Sequence, residues 1–268
     1  MQVMEHVVRC FAEEPDCFVI EPLPPVRRIR TPSFTLLLSP SKTLSSVSGV
    51  RASERELDAT VAEVRRLVRE AGYLRTVWNV GPSSRPERLV GMLAERGFVP
   101  ATRPPFEPKA TAMTLTQPPP PPPPGAEARP VRDLDEYLQA WRIAIETFNE
   151  PEEDAAGWLA AAPTLWEQQD HVERFAHLAF VDGRPVGFAF AFAGPVGLLL
   201  GGSGVLAASR GRGAYRALLA ARWQEAVRLG KPALVIQAGA MSRPILERSG
   251  FESICSVDVL EDPEAGTR

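Results

Sequence analysis

The amino-acid sequence predicts a mixed α/β fold built as two units in tandem. Amphipathic helical patterns alternate with short apolar runs in both halves of the chain. A run of seven prolines, Pro118–Pro124, followed by Gly125, separates halves that are each long enough to bury a core. We therefore expect two domains, 1–117 and 126–268, joined by a linker over 118–125. Each domain should be a twisted mixed sheet flanked by helices, an α+β arrangement.

The N-terminal half shows strand and helix signals in alternation. Ser53 and Glu56 fit a capping box ahead of an apolar three- and four-residue repeat, which predicts a helix ending at Gly72. A second helix should begin at Pro86 and stop at Gly97. Apolar runs predict the strands, which are 34–38, 44–51, 74–80 and 112–115.

The C-terminal half has more clearly marked boundaries. Asp133 or Asp135 can cap a helix reaching Ile145. Asp182-Gly183 is a strong hairpin signal between two apolar strands. The remaining predicted helices are 151–168, 214–229 and a short one from Pro244. The predicted strands are 176–181, 186–192, 198–206, 233–237 and 253–260.

Composition excludes several classes of partner. A formal net charge of −3 gives no electrostatic signature for nucleic acid or an anionic membrane. No apolar run approaches the roughly 20 residues of a membrane span, and the first residues do not resemble a signal peptide. Cys10, Cys17 and Cys255 lack metal-ligand spacing. We expect a cytoplasmic protein with no metal.

The proline run has two interpretations. Consecutive prolines cannot donate backbone hydrogen bonds and favour a stiff polyproline II rod. The run could be a docking site for a proline-binding module. Because both flanks read as folded, a spacer that holds the two halves apart is the favoured interpretation.

The segment Arg210-Gly211-Arg212-Gly213-Ala214-Tyr215 lies between a predicted strand and a predicted helix. The first amides of a helix have no intrahelical partner and sit at the positive end of its dipole. Glycines allow a ligand to approach these amides closely, and the two arginines add positive charge. The pattern predicts a pyrophosphate site, whereas a solvated basic turn is the plainer alternative. It matches neither the Walker A nor the dinucleotide-binding pattern.

The loop resembles that of the GNAT acetyltransferase superfamily, Gln/Arg-x-x-Gly-x-Gly/Ala. Arg210 takes its first position and Gly213 its fourth, while Tyr215 stands where glycine or alanine is usual. The run from Gln237 to Gly250-Phe251 is similar to the family's last strand and helix. The resemblance implies that acetyl-CoA is the cosubstrate. It assigns the cofactor-binding role to Val205, Leu206, Arg210, Gly211, Arg212, Gly213, Ala214 and Tyr215.

The N-terminal half resembles a degenerate copy of the same fold. Its 78–98 stretch, a strand and a helix ending in Gly97-Phe98, echoes 237–251. No Arg/Gly loop lies between its strand at 44–50 and its helix from Glu54. One active and one structural repeat is similar to the tandem arrangement of mycothiol synthase and its relatives, which says nothing of the substrate here.

The sequence supports the candidate catalytic residues less well than the cofactor-binding loop. The position that is a tyrosine acid in many family members is Leu246, so Ser242 or Tyr215 is a possible substitute. Their structural alternatives are an N-cap for Ser242 and helix packing for Tyr215. Glu146 and the acidic cluster Glu150, Glu152, Glu153 and Asp154 are candidates for a base, or a solvated surface. His171 and His177 are candidates by residue type only.

These features lead to three hypotheses about function. The first is an acetyl-CoA-dependent N-acetyltransferase in which a small-molecule amine attacks the thioester directly. The second is a non-catalytic acyl-CoA-binding or scaffolding protein, because a clear acid and base are missing. The third is transfer of an O-acyl or longer acyl group. The sequence leaves the acceptor and the oligomeric state open.

Overall fold

A computed structural model describes residues 2–19, 22–40, 44–103 and 106–266. Its helices are α1 Gln2–Glu13, α2 Leu57–Ala71, α3 Leu89–Ala94, α4 Leu134–Phe148, α5 Glu152–Glu167, α6 Ala214–Arg228 and α7 Arg243–Glu247. The first six strands are β1 Arg27–Arg30, β2 Thr35–Leu38, β3 Leu44–Ser48, β4 Arg75–Val80, β5 Val99–Pro100 and β6 Lys109–Leu115. The others are β7 Ala126–Pro130, β8 Arg174–Val181, β9 Arg184–Ala193, β10 Leu198–Val205, β11 Leu234–Ala238 and β12 Glu252–Asp262.

The strands form one continuous mixed sheet that runs through both halves. The order across it is β1-β2-β3-β4-β12-β6-β11-β10-β9-β8-β7, and β5 pairs with β12. Two neighbouring pairs are parallel, β3 with β4 and β10 with β11, and the other described pairs are antiparallel. The architecture is the predicted mixed α/β class.

The two halves exchange strands at the centre of the sheet. β12, the last strand of the chain, lies between β4 and β6 of the N-terminal half. β6 in turn pairs with β11 of the C-terminal half. Arg65 of α2 makes a bidentate ion pair with buried Asp262 of β12, at 2.8 and 2.9 Å. The expectation that the prolines hold two halves apart is therefore wrong, because the halves share one sheet; the boundaries at 118–125 stay a prediction.

Helices cover both faces of the sheet. α2 and α3 pack on the strands of the N-terminal half around Trp78, which is fully buried. In the C-terminal half α4 and α5 cover one face and α6 covers the other. The apolar repeats that predicted these helices form the cores beneath them.

Local signals in the sequence explain several of the boundaries. Asp133 is the N-cap of α4, where its carboxylate accepts a hydrogen bond from the Glu136 amide at 2.9 Å. Asp182 and Gly183 both have positive φ, as a type I′ hairpin turn requires. The capping box is half formed, since the Ser53 amide donates to the Glu56 carboxylate at 2.9 Å while α2 begins at Leu57.

Several elements were not predicted from the sequence. α1 is amphipathic and packs on β6, β11 and β12, with Phe11 fully buried. β1 and β7 are edge strands whose charged residues masked the period-two pattern. Within α6, the apolar repeat of residues 218, 219, 223 and 227 would place Val227 on the buried face, but Val227 is exposed.

His177 is buried between the sheet and α6, facing Arg222. Burial, reinforced by the positive charge of Arg222, lowers the pKa of His177 to about 3. A His with a depressed pKa stabilises the fold above its unfolded pKa, and that contribution is lost as the pH falls from 6.5 toward 3. We expect His177→Leu to remove about 1 kcal/mol per pH unit of acid sensitivity in this window.

Urea unfolding at neutral and mildly acidic pH would measure this effect. His171 is exposed, so His171→Leu is the matched control and should leave the pH dependence unchanged. An unaltered acid sensitivity in His177→Leu would contradict the buried, neutral state of His177.

Candidate functional site

The parallel strands β10 and β11 diverge soon after they meet. They pair at Leu198 with Leu234 and at Leu199 with Val235, and no further pairs follow. β10 continues along β9 to Val205, with a register shift between Leu200 and Ser203. The divergence opens a gap in which β10, beyond Leu199, no longer pairs with β11.

Strand alternation fixes which backbone groups face this gap. The Leu206 amide donates to Val186 of β9 at 2.9 Å, so Leu206 points its backbone away from the gap. Because successive residues of a strand present their backbone to opposite sides, Val205 and Ser203 face β11. Arg210 Nε donates to the Val205 carbonyl at 3.2 Å. The gap can thus accept an extended ligand that hydrogen-bonds to the strand.

The N-terminus of α6 opens near the end of the gap. Gly213 is its N-cap with φ +88°, and Gly211 has φ +78°, conformations that disfavour a side chain. No side chain caps the helix. The first-turn amides therefore have no side-chain cap among the described residues, and the pyrophosphate site expected there stays a prediction.

The residues of the loop at 210–215 differ in how far they are exposed to solvent. Arg210, Gly211 and Arg212 are exposed, and Arg212 pairs with Asp182 at 2.6 Å. Tyr215 is half-buried against the apolar residues between α6 and the sheet. Its bulk therefore points away from the helix N-terminus, which leaves the anion site unobstructed by this departure from the family pattern.

The end of the proline run lies against the loop. A Cβ built on Gly213 would come within 2.2 Å of Pro123 Cγ and 3.3 Å of Ala126 Cβ. By contrast, a Cβ on Gly211 would meet nothing within 4 Å. Gly213 is thus required both by its backbone angle and by the approach of the linker.

The corresponding gap in the N-terminal half is closed. β3 and β4 pair at four successive positions, from Leu44 with Arg75 to Val47 with Trp78. Beyond them Arg51 bridges Arg85. Ser45 Oγ and Thr76 Oγ1 lie 2.8 Å apart across the pair. Without a gap or a glycine-rich loop, the described residues of this half offer no counterpart of the anion site.

A chamber of about 300 Å³ adjoins β10 on the α4 face of the sheet. Its walls are mostly apolar, and they include Trp141 stacked on Trp158 with ring centroids 4.7 Å apart. Gly202 of β10 contributes to the floor, and Phe148 lies over it. The N-terminal half closes the chamber through Asp16, Val19, Val26, Arg28 and Leu37. Both halves therefore build this site.

The chamber holds two carboxylates. Ser46 and Ser48 donate to Asp16 Oδ2 at 3.1 and 3.4 Å. Burial raises the pKa of Asp16, against these hydrogen bonds and the charge of Arg28. Burial, followed by the nearby charge of Asp154, raises the pKa of Glu150. A carboxylate with a raised pKa is the stronger base at neutral pH.

The three catalytic residues proposed from the sequence do not line this chamber. Glu146 is exposed, Ser242 Oγ donates to the Gly239 carbonyl at 3.2 Å, and Tyr215, in the first turn of α6, packs against apolar residues between the helix and the sheet. Their catalytic roles stay predictions without support from geometry. Leu246 is fully buried, and His171 and His177 also lie outside the chamber.

Of the acidic cluster at residues 150–154, only Glu150 lines the chamber. The C-cap of α4 is Asn149, whose φ of +51° turns the chain so that Glu150 points back toward the chamber. A prediction that continues the helix through residue 150 misses this turn and places Glu150 elsewhere. The Asn149 C-cap was the available sequence signal.

A mixed sheet with two diverging parallel strands beside a glycine-rich helix N-terminus defines the GNAT fold. The chain carries this fold in tandem, and the N-terminal copy has a closed gap. No family model and no curated protein matches the sequence. The relationship is therefore one of structure.

Solved structures with this fold cover nearly the whole chain. A GCN5-related N-acetyltransferase from Kribbella flavida superposes with a TM-score of 0.70 at 19% identity, covering 96% of each chain. A tandem GNAT protein from the clavulanic acid biosynthesis pathway gives 0.61 at 17%, covering 88% of this chain and 79% of its own. A GCN5-related N-acetyltransferase from Sphaerobacter thermophilus gives 0.61 at 19%, covering 86% and 76%.

Two negative observations apply to the described residues. None of their helices has the length and apolar character that crossing a membrane demands. Nor do they contain a group of three or more His, Cys, Asp or Glu side chains placed to hold a metal ion.

Proposed function

We propose that this protein is an acetyl-CoA-dependent N-acetyltransferase that acts on a small-molecule amine. The observation that carries the proposal is the gap between β10 and β11, which lies next to both an uncapped helix N-terminus and a largely apolar chamber. The pyrophosphate would bind the first amides of α6, and the pantetheine arm would lie along Val205. The thioester would then reach the floor of the chamber, where an amine can attack it.

The proposed reaction is direct transfer. The amine nitrogen bonds to the thioester carbonyl carbon, the carbon–sulfur bond breaks, and coenzyme A leaves as the thiol. Backbone N–H groups of β10 that face the gap would polarise the carbonyl. The chamber holds the amine against the thioester and excludes water.

Incubation with acetyl-CoA and a panel of amines tests this proposal. Mass spectrometry should detect acetylated amine, accompanied by release of thiol. Reactions without amine control for hydrolysis and for the protein's own free cysteines. Tight coenzyme A binding with no product from any amine would favour the non-catalytic alternative.

Glu150 is the best-placed base for the amine proton, because it lines the chamber and follows Phe148, which covers Gly202. Only its deprotonated form can accept a proton, so kcat/KM should rise as the pH passes upward through its raised pKa. We expect Glu150→Gln to lower kcat/KM by about 100-fold and to remove this limb of the pH profile.

Glu146→Gln is the matched control, since Glu146 is an exposed carboxylate four residues away. It should leave the rate and its pH dependence unchanged. A Glu150→Gln enzyme with the wild-type pH profile would show that another group, or water, takes the proton.

A further inference from the structure

Arg174, the first residue of β8, is a buried cation in the wall of the chamber. Its side chain is among those lining the chamber, and the residue is only 8% exposed. Its Nε and Nη1 atoms are buried without a hydrogen-bond partner among the described residues. Its guanidinium carbon lies 5.5 Å from the centre of the Phe192 ring. Arg174 thus packs on an aromatic ring and lies close to the Tyr137 hydroxyl, while its Nε and Nη1 donors make no hydrogen bond among the described residues.

Two further donors lie in the same wall, and one of them, the Tyr137 hydroxyl, is close to both Trp141 and Arg174. Tyr137 Oη and Trp141 Nε1 are buried, again without a hydrogen-bond partner among the described residues. Burial raises the pKa of Tyr137, so its phenol stays a neutral donor. Buried polar groups are ordinarily satisfied, and a charged group without a partner is costly. The wall is therefore built to donate to a ligand that supplies negative charge.

The position of Arg174 relative to β10 sets the shape of that ligand. Arg174 pairs with Phe192, which pairs with Leu199, so all three share one row across the sheet. The floor at Gly202 lies three residues further along β10, roughly 10 Å at strand spacing. The space between is flanked by the rings of Phe190, Trp141 and Trp158. The cation and the proposed point of transfer stand at opposite ends of an aromatic cleft.

We propose that the acceptor is an amine that also carries a carboxylate, the two groups being separated by an aromatic or other apolar body. The carboxylate binds Arg174, the body packs between the aromatic rings, and the amine reaches the thioester near Gly202. A carboxylate matches the fork of donors on a guanidinium. This inference rests on the proposed function for the amine end, but its carboxylate end can be tested alone.

A binding experiment isolates the carboxylate end. The probes are 4-(2-aminoethyl)benzoate and 4-(2-aminoethyl)benzamide, in which an uncharged carboxamide replaces the carboxylate. Both are titrated without acetyl-CoA. Trp141 and Trp158 line the chamber, so quenching of tryptophan fluorescence reports occupancy. We expect the acid to bind about 10- to 100-fold more tightly than the amide, and Arg174→Met to abolish that preference. Arg174→Lys should retain only part of it.

Matched controls separate recognition from folding. Arg142 is exposed on α4, and Arg142→Met should preserve the preference for the acid. Because two of the three guanidinium nitrogens of Arg174 make no hydrogen bond among the described residues, Arg174→Met should unfold within a few degrees of the wild type. A marked loss of thermal stability would indicate a structural role for Arg174 and would count against the proposal.

Other outcomes are equally decisive. Equal affinity for acid and amide, failure of the acid to bind at millimolar concentration, or an unchanged preference in Arg174→Met would overturn the carboxylate assignment. Arg174-dependent binding of the acid with no acetyl transfer to any amine would support it while refuting the transferase function. Where transfer occurs, the same preference should appear as a lower KM for the acid.

Discussion

Residues 126–268 expressed alone should fail to fold cooperatively. In the intact protein β12 lies between β4 and β6, and both neighbours belong to the N-terminal half. Val257, Val259 and Leu260 are each at most 5% exposed there. Exposing three such side chains costs roughly 1.5–3 kcal/mol apiece, which is comparable to the whole stability of a typical domain. β11 would also lose β6, leaving an unpaired edge at the centre of the former sheet.

Thermal unfolding followed by circular dichroism would check this prediction. The matched control is the full-length protein with a protease site placed within the prolines and cleaved after folding. Its two pieces should stay together on size-exclusion chromatography, because the exchanged strands and the Arg65–Asp262 ion pair do not depend on chain continuity. A fragment 126–268 that unfolds sharply near the temperature of the intact chain would contradict the interlocked arrangement.

Gly213→Val should reduce the affinity for coenzyme A by more than tenfold. A side chain at φ +88° costs roughly 1–2 kcal/mol, and its Cβ would start 2.2 Å from Pro123 Cγ. The first turn of α6 or the end of the linker must then move. Either movement misaligns the amides that are proposed to bind the pyrophosphate. Isothermal titration calorimetry with coenzyme A measures the change.

Gly211→Val is the informative comparison, because Gly211 has a similar φ but open space around it. It should lose less affinity than Gly213→Val. Adding Pro123→Gly to Gly213→Val relieves the contact with the linker and should recover part of the loss. Wild-type affinity in Gly213→Val would show that coenzyme A does not bind at this helix.

The sequence predicted most of the elements that surround the candidate site. Local chemistry is sufficient for these features: the Asp182-Gly183 turn, the Asp133 cap and the glycines before α6 each act over a few residues. The site residues that the sequence-based prediction did not identify were missed for physical reasons as well. Glu146 and Glu150 are both acidic residues near a helix end, and only the left-handed turn at Asn149 distinguishes where they point.

Long-range features were not predictable in this way. Nothing in the alternation of β12 specifies that it inserts between strands of the other half, because a strand's pattern records which face is buried rather than its neighbours. Arg174 reads in the sequence as an ordinary charge at a strand start. Its role in the chamber depends on Tyr137 and Trp141 of α4 and on Phe192 of β9, which meet Arg174 only in the folded chain.

The proline run joins two strands, β6 and β7, that lie far apart in the sheet. β6 lies near the centre of the sheet and β7 at its far edge, five strand spacings away, or roughly 24 Å. About eleven peptide steps connect Leu115 to Ala126, and in the polyproline II form they reach about 34 Å. The linker is thus long enough to span this distance, and its end brings Pro123 against Gly213. This low-complexity segment is therefore under a length constraint. A much shorter linker could not carry the chain from β6 to the edge of the sheet at β7.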